Sequence, residues 1–154
     1  MKAIRYTSWL VLFLLLLPLA GCQNDGPIGY KFGVWRMDSY TVDNQPVEAP
    51  LVYQTTIAFQ GGVVNVIALN DDYIGSNDQY GSWSEDGDRL YLDFTHGDDN
   101  HPAGSDYYAA PWWLGWTSDY VMEFTVEKHS DREMTWKYIN PQGETNIYKL
   151  HKTW

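Results

Sequence analysis

Metal-ligating residue types gather in one segment of the chain. His96, Asp98, Asp99 and His101 lie within six residues, and Asp106 follows shortly after them. Imidazole nitrogens and carboxylate oxygens could together hold a divalent ion, but this spacing matches no zinc pattern. A solvated acidic loop is the simpler interpretation, so we predict no metal site here.

Groups for covalent or acid–base catalysis do not form a recognisable set. Nucleophilic catalysis needs Ser or Cys beside His in an oriented group, and the sequence contains no G-x-S-x-G motif. No two of the 20 acidic residues stand out as the carboxylate pair of a glycosidase. We therefore predict that the protein is not an enzyme and uses no cofactor.

Aromatic residues are concentrated just after the acidic segment. Residues 106–116, DYYAAPWWLGW, include Tyr107, Tyr108, Trp112, Trp113 and Trp116. They lie in a connection of 23 residues, whereas connections in compact domains usually have about 4–6. Disordered segments lack such side chains, so these rings must pack against something. Two interpretations remain open: the rings complete the core, or some of them stay exposed as a platform for a ligand.

The chain begins with the pattern of an export signal. Lys2 and Arg5 form a basic start, residues 9–17 are apolar, and Leu-Ala-Gly precedes Cys22. This pattern predicts a secretory signal over residues 1–21. The apolar run is shorter than the roughly 20 residues that a membrane-spanning helix needs. The tetrapeptide LAGC resembles the lipobox of bacterial lipoproteins, which implies that Cys22 carries acyl chains such as palmitate.

Lipidation at Cys22 would divide the chain into three parts. Residues 1–21 are the signal peptide, residues 22–30 a lipidated tether, and residues 31–154 one folded domain. Gln23 follows the anchor, where an Asp would resemble an inner-membrane retention signal, so we expect the outer membrane of the cell envelope. Without its signal the chain has a charge of 8 − 20 = −12. A surface of that sign repels phosphate backbones, so nucleic acid is not an expected partner.

Alternation of apolar and polar residues recurs along the chain and predicts β-strands. Eight runs show it: residues 34–42, 51–59, 63–69, 79–84, 89–95, 119–128, a run around Trp136, and 145–152. Turn residues such as Gly61-Gly62 separate neighbouring runs. We expect one face to be buried, with these side chains inward: Trp35, Met37, Leu90, Leu92, Phe94, Tyr120, Met122, Phe124, Val126, Met134, Trp136, Tyr138, Tyr148 and Leu150.

Short turns between consecutive strands predict an antiparallel meander. An open meander of this length would leave two exposed sheet edges, which invite association with other chains. Pairing the first strand with the last removes both edges. The predicted fold is therefore all-β: an eight-stranded antiparallel up-and-down barrel, with a jelly roll as the alternative. Such a barrel is filled by side chains or holds one small ligand.

Two short motifs resemble signatures of the lipocalins. Gly33-Val34-Trp35 opens the first strand like the lipocalin G-x-W motif, and residues 117–120, TSDY, resemble the T-D-Y signature. The resemblance implies a lipocalin-like domain in which Gly33 and Trp35 close the barrel floor, and a binding module for small, largely apolar molecules. The Arg that lipocalins place over this Trp is missing, because the last strand offers only Lys149 and Lys152.

The leading hypothesis is a lipid-anchored envelope protein that binds a small apolar ligand in the barrel or at its mouth. The residues expected to contact that ligand are Tyr107, Tyr108, Trp112, Trp113 and Trp116 of the long connection, with Trp83 and Trp136 inside the barrel. One alternative is a glycan-binding or adhesion module that uses Trp112, Trp113 and Trp116 as an open platform. Another is a solid-core scaffold for a second envelope protein.

Overall fold

A computed structural model describes Gly29, Lys31, residues 33–69 and residues 76–153. The predicted signal peptide, Cys22 and most of the tether lie outside the described residues. Within the described ranges, no helix combines the length and the apolar character needed to cross a membrane.

The described residues are organised as nine strands and one short α-helix. The helix, α1, spans Pro50–Tyr53, and a 3-10 helix spans Trp112–Leu114. The strands are β1 Gly33–Val42, β2 Gln45–Pro46, β3 Thr55–Gln60, β4 Val63–Leu69, β5 Ser76–Asp86, β6 Arg89–Asp93, β7 Met122–His129, β8 Glu133–Ile139 and β9 Thr145–Lys152.

Eight of these strands close into a barrel. The sheet order is β2-β1-β3-β4-β5-β6-β7-β8-β9, all antiparallel, and β1 also pairs with β9 from Trp35↔Lys152 to Val42↔Asn146. The two-residue strand β2 pairs with the end of β1. It follows a turn in which Asp43 and Asn44 both have positive φ. The prediction of an eight-stranded antiparallel up-and-down barrel is confirmed.

The strand registers define two ends of the barrel. At one end β1 begins beside the end of β9, because Trp35 pairs with Lys152; we call it the floor end. At the other, β3 begins, β6 ends and β7 begins, and we call it the mouth end. Residues 94–121, which join β6 to β7, lie at the mouth end and are called the mouth loop.

The predicted inward face forms the core. Thirteen of the fourteen side chains expected inside are at most 9% exposed, and Trp35 and Trp136 are both fully buried. Inside the barrel the ring of Phe59 lies 5.2 Å from Trp83 and 6.0 Å from Trp136, between ring centroids. Phe124 continues this contact chain from Trp136 towards the mouth. Edge-on aromatic packing of this kind adds to the burial of apolar area.

Tyr120 is the exception, and the prediction that it points inward is wrong. Its side chain is 37% exposed, because β7 begins only at Met122 and the preceding residues have no partner strand beyond the end of β6. Its hydroxyl lies 2.8 Å from that of Tyr138.

The second predicted run also begins too early. Residues 50–53 form α1 instead of a strand, with Pro50 in the first turn, where its fixed φ suits a helix and its missing N–H is not needed. Val52 is the residue of this turn that is fully buried. The Thr55 hydroxyl donates to the Leu51 carbonyl at 2.6 Å and links the turn to β3.

Candidate functional site at the barrel mouth

The floor end is closed by Trp35. Its indole is fully buried, and Nε1 donates to the Lys31 carbonyl at 2.8 Å. The ammonium of Lys152 lies 5.2 Å from the centroid of the Trp35 ring, so Lys152 occupies the side of the ring where the resemblance implies an Arg. Gly33 starts β1 with a φ of 120°, a backbone conformation that residues other than glycine rarely adopt.

A buried cation reinforces the floor. The Lys31 ammonium pairs with the Glu85 carboxylate and lies 5.4 Å from the centroid of the Trp83 ring. Trp83 therefore packs between Lys31 on the floor side and Phe59 on the interior side. Ligand access from this end would require breaking an ion pair whose cation is fully buried.

The mouth loop folds back across the opposite end of the barrel. Trp113 and Trp116 are each 5% exposed, and Leu114 is fully buried. The Tyr148 hydroxyl, inside the barrel, donates to the Leu114 carbonyl at 2.8 Å. The Trp116 ring contacts Phe124 at 5.5 Å and Tyr148 at 6.0 Å, between centroids. These side chains form a plug that joins the aromatic interior to the loop.

A threonine holds the plug in place. Trp113 Nε1 donates to the Thr55 hydroxyl at 2.8 Å, and that hydroxyl donates to Leu51. Thr55 is fully buried, so its one oxygen ties the loop to β3 and to α1. Gly115 follows the 3-10 helix with φ of 69°, and a Cβ there would lie 2.7 Å from the Tyr40 hydroxyl. Both the backbone conformation and the space therefore require glycine.

The loop also covers an open stretch of sheet edge. β6 pairs only with residues 82–86 of β5, which leaves the mouth half of β5 without a strand on that side. The Tyr80 N–H of β5 donates instead to the Tyr107 carbonyl at 2.7 Å. Gly81 permits this arrangement, because a Cβ there would lie 2.8 Å from both the Asp93 carbonyl and the Phe94 ring.

Asp98 organises the acidic part of the loop. Its carboxylate accepts hydrogen bonds from the Asn100 N–H at 2.8 Å, the His101 N–H at 2.7 Å and the Tyr108 hydroxyl at 3.1 Å. These bonds, with that from Asn100 foremost, lower the pKa of Asp98. His101 Nδ1 lies 3.0 Å from the same carboxylate. Throughout the described part of the chain, no three His, Cys, Asp or Glu side chains form a group that could hold a metal ion.

Exposed apolar side chains gather around the mouth. Trp112 is 70% exposed and stands edge-on to the buried Trp113, with 5.9 Å between ring centroids. Of the seven large hydrophobic side chains exposed among the described residues, only Val63 lies at the floor end. The other six are Leu69, Tyr107, Trp112, Tyr120, Val121 and Ile139, and together we call them the rim.

The aromatic residues proposed from sequence are therefore separated into three environments. Trp112 and Tyr107 are exposed on the rim, and Tyr108 is half-buried beside Asp98. Trp113 and Trp116 belong to the buried plug. The two interior residues lie deeper, where Trp136 is fully buried and Trp83 packs near the floor; the open platform of three indoles does not form.

Sequence reasoning missed Thr55 and Gln79. Thr55 carries the hydroxyl that anchors the plug. Gln79 on β5 is 5% exposed, and its Oε1 has no hydrogen-bond partner among the described residues. For Thr55, a polar residue on the inward face of a strand whose other inward residues are Ile57 and Phe59 is the signal that could have identified it; β5 is polar along most of its length and gives no such signal for Gln79.

No protein-family model matches the sequence, and no curated protein matches it. Solved structures do match. A lipocalin-like protein from Bacteroides uniformis superposes with a TM-score of 0.57 and 20% identity, over 80% of this chain and 99% of that chain. An uncharacterized protein from Bacteroides eggerthii gives 0.55 and 18%, over 79% and 98%. The fold is lipocalin-like.

Grooves on the outside of the lipocalin-like barrel are shallow. One, of about 400 Å³, runs along β5 and β6 and reaches Val121 of the rim. Another, of about 350 Å³, crosses the outer faces of β7 and β8 and reaches Ile139. Each contains one rim side chain, and the rest of its lining includes polar or charged residues, such as Ser82 and Asp93 in the first groove and Glu123 and Lys137 in the second.

Proposed function

We propose that the protein binds a small, largely apolar molecule at the mouth of its barrel. The observation that carries this proposal is the rim, whose six exposed apolar side chains lie at the same end of the barrel as the plug of buried rings. An indole that is 70% exposed, as Trp112 is, loses its contact with water when an apolar molecule covers it. The lipocalin-like fold supports binding rather than catalysis as the activity.

The packing of the interior favours the mouth over the barrel centre. Phe59, Phe124 and Trp136 are at most 1% exposed, and their rings are in mutual contact. A ligand in that space would have to displace aromatic rings that already fill it. In the proposed complex the ligand rests on Trp112 and Tyr107, Trp113 and Trp116 form the base beneath it, and Tyr108 borders it. Trp83 and Trp136 support that base from inside.

We further propose that acylated Cys22 anchors the protein in the cell envelope, in the outer membrane. Lys31 and Gly33 lie at the floor end, so the chain approaches the barrel from there. The mouth would then face away from the membrane that holds the anchor. Mass spectrometry of the protein from a bacterial host should find the acyl chains on Cys22. The Cys22→Ser protein should be released from membranes, and its retention there would contradict the anchor.

A titration with N-phenyl-1-naphthylamine, a neutral apolar fluorophore, tests the binding proposal. We expect saturable binding, and we expect Trp112→Ala to weaken it by about tenfold, the effect of losing on the order of 60 Å² of apolar contact. Val63→Ala is the matched control, because Val63 is exposed but lies at the floor end. Equal loss in both variants would contradict binding at the mouth. The absence of saturable binding would contradict the proposal and would leave the solid-core scaffold, since Trp113 and Trp116 are too buried for the open platform of the glycan-binding alternative.

A further inference from the structure

Two tyrosines meet through their hydroxyl groups where the mouth loop ends. The oxygens of Tyr120 and Tyr138 lie 2.8 Å apart. Tyr120, which precedes β7, is 37% exposed, whereas Tyr138, near the end of β8, is 4% exposed. The pair therefore joins a phenol that a molecule in solution can reach to a phenol inside the barrel.

Two other tyrosine contacts in the described part of the chain are built differently. Tyr40 and Tyr148 stack with 4.7 Å between their ring centroids, but both are buried and out of reach of a reagent in solution. The rings of Tyr80 and Tyr108 lie 6.5 Å apart, and each hydroxyl donates to a carboxylate. Of these three contacts, the one at the end of the mouth loop combines an exposed phenol with a direct bond between hydroxyls.

The buried member of the pair donates the hydrogen of this bond. A buried hydroxyl proton needs an acceptor, so the stable arrangement has Tyr138 donating to Tyr120, with the proton of Tyr120 turned to water. Burial, and then the bond with Tyr120, raises the pKa of Tyr138 well above its usual value, so its proton stays in place at neutral pH. A hydrogen of Tyr138 is therefore held between the two oxygens.

We infer that Tyr120 and Tyr138 are a site of oxidative coupling, at which a one-electron oxidant driven by a peroxide joins their rings as dityrosine. This modification does not depend on the ligand proposed above. In the first step Tyr120 gives an electron to the oxidant and its hydroxyl proton to water. The resulting radical takes the hydrogen atom that Tyr138 holds towards it, which moves the radical to Tyr138 and restores Tyr120. A second oxidation of Tyr120 then places two phenoxyl radicals side by side.

Combination of the two radicals needs no further reactant. A carbon–carbon bond forms between the ring carbons next to the hydroxyls, each of these carbons loses its hydrogen as a proton, and each oxygen regains one. In total the pair has lost two electrons and two protons, which reduce one hydrogen peroxide to two waters. The rings can approach because residues 117–121 lie before β7 and pair with no strand among the described residues, so Tyr120 is able to turn towards β8.

The product would fasten the mouth loop to the barrel at a second place. Trp113 already ties the loop to β3 through Thr55, and the new bond would tie the end of the loop to β8. A covalent link between Tyr120 and Tyr138 restricts the unfolded chain as a disulfide does, so the oxidised protein should unfold at a higher urea concentration. Hydrogen exchange within residues 94–121 should also slow.

Treatment of the full protein with a peroxidase and hydrogen peroxide, at low protein concentration, tests the inference. Trypsin places the two tyrosines on different peptides, residues 90–128 and 138–149. We expect a monomer with dityrosine fluorescence in which these peptides are joined at Tyr120 and lighter by two hydrogens than their sum. Tyr120→Phe should abolish this product at an unchanged urea midpoint, because the side chain is exposed. Tyr107→Phe is the matched control: Tyr107 is 51% exposed, but its ring contacts His101, so the yield should not change.

Any of three results would overturn the inference. The first is an oxidised monomer without the joined peptides. The second is cross-linking that connects only separate copies of the chain, because exposed tyrosines would then react by collision and not within the pair. The third is an equal yield of the joined peptides from the Tyr120→Phe protein, because the link would then start from another tyrosine.

Discussion

Replacing Thr55 by valine should release the plug while leaving the shape of the side chain almost unchanged. Thr55 is fully buried, and its hydroxyl accepts from Trp113 Nε1 and donates to Leu51. Valine removes both bonds and leaves a buried indole N–H without an acceptor. An unsatisfied buried group costs about 1–3 kcal/mol, and the Leu51 carbonyl adds to it, so we expect about 2–4 kcal/mol of destabilisation.

Thr56→Val is the matched control. Thr56 is the next residue of β3 but points to the outer face, and its hydroxyl lies 3.5 Å from the Ile67 carbonyl, at the limit of a hydrogen bond. Its replacement should cost less than about 1 kcal/mol. Urea unfolding followed by tryptophan fluorescence would measure both free energies of unfolding.

A double-mutant cycle with Trp113→Phe tests whether the destabilisation by Thr55→Val comes from the hydrogen bond between Thr55 and Trp113. If the bond between Trp113 and Thr55 carries it, the double variant should be less destabilised than the sum of the single variants, by about 0.5–3 kcal/mol. Hydrogen exchange in the mouth loop should rise in Thr55→Val before exchange in β8 and β9 does. Equal effects of Thr55→Val and Thr56→Val, together with additivity in the cycle, would refute the role assigned to this hydroxyl.

Three further predictions concern a close approach, an acidic turn and a buried phenol. Gly81→Ala should destabilise the protein by about 1–3 kcal/mol in thermal unfolding, since its Cβ would lie 2.8 Å from the Asp93 carbonyl; Gly62→Ala, with no atom within 4 Å, should be near neutral. The lowered pKa of Asp98 means that its stabilisation of the loop is present above about pH 4 and is lost as the pH falls through the folded-state pKa. Asp98→Asn should remove that acid-dependent change in tryptophan fluorescence, and persistence of the change would exclude Asp98 as its source. Burial raises the pKa of Tyr148 well above 10.0, so the stability that its neutral hydroxyl contributes should be lost as the pH rises above 10.0. Absorbance at about 295 nm follows the ionisation of tyrosines. If the Tyr148→Phe protein lacked a phenol that titrates normally in the parent protein, the prediction would be contradicted.

Period-two alternation was enough to predict the barrel because it reports directly which face of a strand is buried. Leu90, Leu92 and Phe94 are all fully buried, as their spacing required. The same alternation failed at Tyr120, where the pattern continues but the neighbouring strand has already ended. Whether a partner strand is present depends on tertiary structure, which a local pattern does not contain.

The candidate site was predictable in location but not in detail. Length and ring content identified the mouth loop as a packed segment. Trp112 and Trp113 are adjacent in sequence, yet one is 70% exposed and the other 5%. Their difference depends on the 3-10 turn and on Thr55, a hydroxyl 58 residues away that binds one indole and not the other. The position of Lys152 over the Trp35 ring was unpredictable for the same reason, because it depends on the pairing register of β1 with β9.

The most direct test of binding at the mouth is the response of individual indole N–H signals in ¹⁵N-labelled protein titrated with N-phenyl-1-naphthylamine. Trp112 and Trp113 should shift together, with the same saturable concentration dependence. Trp35, bonded to the Lys31 carbonyl at the floor, should not shift. Saturable shifts confined to Trp35, Trp83 and Trp136, or no saturable shift at any indole, would contradict a ligand site at the mouth.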